Sequence, residues 1–120
     1  EQLLREAIKK KWDNTLVAYY GLVDGEDLAK QLANAEAWLK LHPENTALLL
    51  CLGRLCIKNS LWGKARSYLQ TCLSLAPSAE AYSTLAQLLD KMGEPGQADQ
   101  YYRKGLLLIT TKNGALDYSG

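Results

Sequence analysis

When Thr46 to Ser78 is laid over the segment that follows it, Ala79 to Thr111, eight pairs are identical: Leu52/Leu85, Leu55/Leu88, Lys58/Lys91, Gly63/Gly96, Ala65/Ala98, Tyr68/Tyr101, Leu73/Leu106 and Leu75/Leu108. A period in the low thirties is the signature of a stacked helix-turn-helix unit. Leu48, Leu49, Leu52, Leu55 and Cys56 recur at helical spacing, with Asn45 or Thr46 placed to cap the first turn after Pro43. Asn59 and Ser60 break that helix. Leu61, Ala65, Tyr68, Leu69, Cys72, Leu73 and Leu75 then form a second stripe that ends at Pro77.

The next unit repeats the plan. Ser78 is its N-cap, Leu85, Leu88 and Leu89 its first stripe, Gly93 its stop, and Ala98, Tyr101, Tyr102 and Leu106 its second stripe, with Thr110 where the closing Pro stood. Upstream, Leu32 to Pro43 lies over Arg66 to Pro77, so a more diverged unit precedes the other two. Its first helix carries Leu16, Val17, Tyr20 and Trp12, with a turn at Gly21 to Gly25. Leu4 and Ile8 continue the spacing backward into a preceding helix. The chain thus reads as a single domain, 1–120, with units at roughly 12–44, 45–78 and 79–112 and a frayed tail at 113–120.

Composition bounds the partners. Fourteen basic and 13 acidic side chains leave a net charge of +1, which gives no electrostatic case for nucleic acid or an anionic membrane. The longest apolar runs, Ala47 to Leu52 and Leu106 to Ile109, are too short to span a bilayer. The chain opens on Glu1 without a signal-like segment and reads as a fragment of a longer protein. Cys51, Cys56 and Cys72 are an odd count set within apolar stripes, which fits small hydrophobes in a reducing, cytosolic compartment.

The Leu52-Gly53 pair, Ala65, Leu69, Cys72 and Pro77, followed by Ala98, Tyr102 and Gly105, resemble the tetratricopeptide repeat pattern. The typical aromatic of the first helix is replaced by Cys56 and Leu89. The resemblance implies an all-α fold, tetratricopeptide-type helix-turn-helix repeats stacked as a right-handed α-solenoid of about three units, in which Ala65 and Ala98 let antiparallel helices approach closely. A narrower resemblance runs through Ala35-Glu36-Ala37-Trp38-Leu39-Lys40, His42-Pro43, Leu48-Leu49-Leu50, Leu52-Gly53-Arg54-Leu55-Cys56, Leu61-Trp62-Gly63-Lys64-Ala65-Arg66-Ser67-Tyr68-Leu69 and Glu80-Ala81-Tyr82. This run is similar to the C-terminal repeat domain of the HemY-type proteins of proteobacteria. That similarity implies an association with late haem biosynthesis and a place on the cytoplasmic face of the bacterial inner membrane, the membrane being reached only through N-terminal segments of a parent protein.

Catalytic constellations are missing from the sequence. There is one His, no phosphate-loop or dinucleotide fingerprint and no His-Glu-x-x-His, so no enzyme and no resident cofactor or metal is expected. His42, ahead of Pro43 in an inter-unit loop, reads either as a ring packed on a neighbouring helix end or as an axial haem ligand. Cys51 and Cys56, five apart, point to different faces of a helix and fit no ligand motif. Asp24 is expected to cap the following helix, with Asp27 supporting its first turn. Lys9, Lys10 and Lys11 with Arg5 read as a solvated helix face, with a membrane-surface contact as the alternative. Trp38 and Trp62 read as packing residues, and Trp62 as a partner hot spot if it is exposed. Arg54 and Arg66 read as partners for nearby acids, with porphyrin propionates as the alternative.

What remains is a surface. If the tetratricopeptide register holds, the concave groove is lined by Ala47, Leu50, Arg54, Ile57 and Lys58, then by Glu80, Ser83, Gln87, Asp90 and Lys91. Leu50, Arg54, Ser83 and Gln87 stand where chaperone-binding members of the family hold a carboxylate clamp, which argues against a chaperone cofactor. Two main readings follow: a non-catalytic protein-binding scaffold whose partner is a haem-biosynthesis enzyme, or a haem or porphyrin carrier using His42. A peptide-binding module unrelated to haem is a further reading, and self-association through exposed unit ends is expected to accompany any of them. In the scaffold reading, reversing the charges of Arg54 and Lys58 is expected to abolish partner capture without unfolding the domain.

Overall fold

The computed structural model describes residues 1–119, with side chains through Thr111. Among the described residues there are seven helices and no strand: α1 (Gln2–Lys10), α2 (Asn14–Tyr20), α3 (Leu28–Leu39), α4 (Thr46–Lys58), α5 (Trp62–Leu75), α6 (Ala79–Lys91) and α7 (Pro95–Ser119). α4/α5 and α6/α7 pair closely, α2 and α3 both pack on α4, α1 lies against α2, and α2, α4 and α6 follow one another along one wall of the stack. The repeat solenoid expected from the periodicity is the fold. α7 runs to Ser119 and takes in most of the stretch expected to fray, while Gly120 lies outside the described residues.

The helix starts are written in short polar side chains. Asp13, Asp27, Asn45 and Ser78 each accept a hydrogen bond from the backbone N–H three positions on, satisfying one of the orphan donors of the first turn. The cap of α3 is therefore Asp27 and not Asp24. Asp24 lies too far upstream, in the α2–α3 loop, and its carboxylate instead takes an ion pair from Lys58 Nζ at 2.7 Å.

The first helices of the second and third units stop in the same way. Ser60 and Gly93, at equivalent positions of the two units, both take a left-handed backbone, with φ of 58° and 77°. Each stop closes with two backbone bonds: Ser60 N to Ile57 O and Leu61 N to Cys56 O in one, Gly93 N to Asp90 O and Glu94 N to Leu89 O in the other. This is the double closure that satisfies the last carbonyls of a helix, and glycine adopts it without the Cβ strain that Ser60 bears.

Small residues set how close the helices come. A Cβ placed on Gly53 would sit 2.6 Å from both Cγ and Cδ2 of Leu69, so α4 and α5 touch backbone to side chain there. Ala65 and Ala98 are fully buried at the matching crossings. A Cβ on Gly21 would meet Cys51 Cα at 2.9 Å, so the end of α2 lies directly against α4. Around these contacts Val17, Tyr20, Leu48, Leu52, Leu55, Leu85, Leu88 and Leu89 form one continuous core.

Polar bonds fasten the first unit to the second. Asn59 Nδ2 donates to Leu28 O at 3.1 Å, and Asn45 Nδ2 to Asn14 Oδ1 at 2.8 Å. Glu36 Oε2 accepts from Tyr68 Oη at 2.7 Å and Lys64 Nζ at 2.8 Å. Partial burial raises the proton affinity of Glu36, but those two bonds and the Lys64 charge outweigh it and hold the carboxyl below its usual range. Fully buried Gln31 stitches the α2–α3 loop. Its Nε2 donates to Tyr20 O and Val23 O while its Oε1 accepts from Gly25 N.

Because Leu69 is fully buried and cannot swing aside, Gly53→Ala is expected to cost about 1–3 kcal/mol, as core overpacking does, and Ala65→Leu a similar amount. Exposed Gln70→Ala on the same α5 helix is expected to stay within about 0.5 kcal/mol. Urea denaturation of the three variants checks the ranking, and a silent Gly53→Ala would contradict the close approach.

Candidate functional site

A groove of about 580 Å³ runs along the first helices of the units. Its walls are Asn14, Thr15, Ala18, Tyr19 and Leu22 from α2 and its exit, Thr46, Ala47, Leu50 and Arg54 from α4, and Glu80 at the start of α6, with Cys72, Ala76, Pro77 and Ser78 closing one end. Tyr19 and Leu22 offer the most free apolar area, 55 % and 54 % exposed. Leu50, at 4 %, forms floor rather than rim.

The sequence-derived groove set divides on this geometry. Ala47, Leu50, Arg54 and Glu80 line the hollow together. Ser83 lines a different hollow on the α6–α7 side. Ile57 and Lys58 lie beyond the end of the groove, Ile57 packed on the core. Gln87, Asp90 and Lys91 are exposed on α6, where Asp90 accepts from Tyr102 Oη at 3.2 Å. Tyr19 and Leu22 were missed because the register was carried through the second and third units only. The signal that could have found them is the alternation of buried Val17 and Tyr20 with their outward neighbours.

Arg54 and Lys58 turn inward, toward the first unit. Arg54 Nη1 donates to Ala18 O at 3.0 Å, and Lys58 Nζ donates to Val23 O at 3.1 Å besides pairing with Asp24. Burial pulls the proton affinity of Arg54 down, opposed by the nearby Glu80 carboxylate. Both cations are structural ties, and of the two Arg54 also lines the groove. Reversing their charges would break the joint between units, so it is not a clean probe of binding.

His42 packs as a ring on a ring. Its centroid lies 3.7 Å from that of Trp12, with planes 15° apart, and Trp12 in turn stands edge-on to Trp38 at 6.0 Å. His42 is absent from the groove wall. The three thiols are buried: burial pushes Cys51 up to about 12 and Cys56 to about 11, and raises Cys72. A thiolate ligand is thereby disfavoured. Among the described residues no three His, Cys, Asp or Glu side chains converge to hold a metal. These residues do not fit a haem site: the single imidazole is stacked away from the hollow, and the thiols lie inside the core.

Trp62 breaks from the packing role expected of it. It opens α5 at 38 % exposure beside exposed Leu61, because the turn at Ser60 points the first residues of α5 away from the core, whereas Trp38 is buried against Tyr20. Arg66 reaches Glu94 Oε2 at 3.5 Å and Gln97 Oε1 at 3.3 Å, the ordinary pairing across units. The basic run of α1 stays on the solvated side, with Lys9, Lys10 and Lys11 all exposed.

With helix pairs, crossings and groove in view, the third unit can be placed. Residues 79–110 match the tetratricopeptide repeat. The match covers α6 and α7 as far as Thr110, and the second unit shares its helix pairing, its small-residue crossing and its left-handed stop. No curated protein matches the chain. Tetratricopeptide repeats in general mediate protein–protein contacts through such grooves. No helix among the described residues is long and apolar enough to cross a membrane.

Two measurements check this geometry. A thiol reagent is expected to titrate no cysteine in the native chain and all three after denaturation, and a fast native reaction would contradict the burial. Arg54→Ala and Lys58→Ala are each expected to lower stability by about 1–3 kcal/mol in urea, since each removes a charged donor from a carbonyl. Tyr19→Ala and Leu22→Ala are expected to stay within about 0.5 kcal/mol.

Proposed function

We propose that this chain is a non-catalytic scaffold that holds an extended segment of another protein in the groove between α2, α4 and the start of α6. The observation that carries the reading is the pairing of free Tyr19 and Leu22 with the rigid floor of Leu50 and Arg54. A tyrosine beside an arginine is the usual composition of a binding hot spot, and Leu22 adds apolar area next to it. Arg54 spends one of its five donors on Ala18 O, which leaves others for a backbone carbonyl or carboxylate of a ligand. The resemblance of the Ala35 to Tyr82 run to the HemY-type proteins supports a haem-biosynthesis enzyme as the partner, met on the cytoplasmic face of the bacterial inner membrane.

The test is direct binding of purified late haem-biosynthesis enzymes to the immobilised chain. A micromolar or tighter complex is expected, weakened at least tenfold by the double variant Tyr19→Ala/Leu22→Ala at unchanged thermal stability. Unchanged affinity in that variant would move the site out of the groove. Peptides selected by display that bind in the groove, with no binding to any of these enzymes, would keep the scaffold and remove the haem link. A saturable Soret shift on haem titration, lost in His42→Ala, would replace the scaffold with a carrier.

A further inference from the structure

Past Glu80, which closes the wall of the groove, lies a second hollow of about 350 Å³, lined by Ser83 of α6 and by Tyr102, Gly105, Leu106 and Ile109 of α7. Glu80 borders both hollows. A shift of 33 residues carries Thr46, Ala47 and Leu50 onto Ala79, Glu80 and Ser83, and Cys72 and Ala76 onto Gly105 and Ile109. All five of the earlier residues line the groove. The second hollow is therefore the same place one repeat on, and the groove continues through it along the third unit.

The two hollows share a position and differ in chemistry. Tyr102, Leu106 and Ile109 recur at helical spacing on α7 and are 39 %, 65 % and 46 % exposed, so they form an apolar stripe open to solvent. Ser83 and Gly105 stand where Leu50 and Cys72 stood, and their smaller side chains leave room beside that stripe. A Cβ on Gly105 would meet Tyr82 Cβ at 3.2 Å and Ala79 O at 3.4 Å, so α7 is seated closely on α6 at this point. Between the two hollows stands a carboxylate. Where the second unit has Ala47, the third has Glu80, which is exposed and, among the described residues, forms no ion pair. Its charge reaches Arg54 across the first hollow, but that guanidinium donates to Ala18 O. A segment that passes from one hollow to the other passes Glu80, because Glu80 borders both.

We infer that the two hollows form one track and that Glu80 selects a lysine or arginine in the bound segment, set between an apolar side chain on Tyr19 and Leu22 and another on Leu106 and Ile109. The inference rests on the reading of the α2–α4 groove as the seat of an extended protein segment, and adds the sequence pattern that such a segment carries. Packed helices lie about 8–10 Å apart, and two such steps separate α2 from α6. Extended chain advances about 3.1–3.4 Å per residue, so the two apolar side chains fall about five or six residues apart with the basic one between them.

Peptides of random sequence, displayed on phage and selected on the immobilised chain, test it. The enriched peptides are expected to carry a lysine or arginine flanked by apolar residues. A synthetic peptide of that pattern is expected to bind about tenfold tighter with lysine at the centre than with glutamate, since an exposed attraction and an exposed repulsion each contribute up to about fivefold. Raising sodium chloride from about 50 to about 500 mM is expected to shrink that preference. E80K is expected to invert it with an unchanged circular dichroism spectrum, whereas a merely structural Glu80 would weaken both peptides alike. L106S, at a solvent-facing position, is expected to weaken the lysine peptide about fivefold or more. A preference that E80K leaves unchanged overturns the inference. So does a peptide indifferent to L106S, which would stop the segment at the first hollow, or an L106S that alters the mass of the chain in solution and no peptide affinity, which would give the second hollow to another copy. In each of these cases Tyr19→Ala/Leu22→Ala decides the fate of the groove itself: a loss of about tenfold keeps the scaffold without this extension, and no loss removes both. A selection that enriches no sequence also removes both.

Discussion

The structure depends on how closely each helix can approach the next, and small residues decide that distance. Gly53 lets Leu69 of α5 rest on the backbone of α4, Ala65 and Ala98 sit at the matching crossings, and Gly21 brings the end of α2 onto Cys51. Each contact removes a side chain so that a larger neighbour can be enclosed completely, and a packed interior rewards such interdigitation. Once the crossings are fixed, the first helices of the pairs fall side by side. The groove is a consequence of that alignment.

The elements that local chemistry controls were legible from the sequence, and those that depend on neighbours were not. Asn45 and Ser78 as caps and Gly93 as a stop follow from the bonding of a single turn, so spacing and residue type were sufficient. Asp24 and Asp27 show the limit. Both are residue types that cap helices, and which one does so rests on where the α2–α3 loop, held by Gln31, lets α3 begin, leaving Asp24 to pair with Lys58. Trp62 was misjudged for a related reason: helical spacing with leucines says which stripe a residue belongs to, but the first turn of α5 overhangs the core. Of the groove, the register recovered Ala47, Leu50, Arg54 and Glu80. It missed Tyr19 and Leu22 because the first unit is too diverged for its outward face to be read by alignment with the others.

Arg54 illustrates how one side chain serves two levels of organisation. A guanidinium half withdrawn from water needs acceptors, and Ala18 O at the end of α2 supplies one. The bond steadies the preceding unit, and the unspent donors give an otherwise apolar hollow a polar point of reference. Glu80 on the other wall moderates the positive charge, so the hollow presents both signs of charge.

The polar bonds between units are unevenly shared. Between the first and second units run Arg54 to Ala18, Lys58 to Val23 and Asp24, Asn59 to Leu28, Asn45 to Asn14, and the Glu36 carboxylate shared by Lys64 and Tyr68. Between the second and third, among the described residues, only Arg66 reaches across by side-chain bonds, and Gln87 and Lys91, which stand where Arg54 and Lys58 stood, remain in solvent. Directional bonds fix orientation as well as distance, whereas apolar packing fixes position by shape alone. In mechanical terms the array has a stiff joint followed by a compliant one. The first two units are tied by directional bonds across most of the groove, whereas the third is held to the second chiefly by the fit of packed side chains, at the end where Glu80 closes the wall.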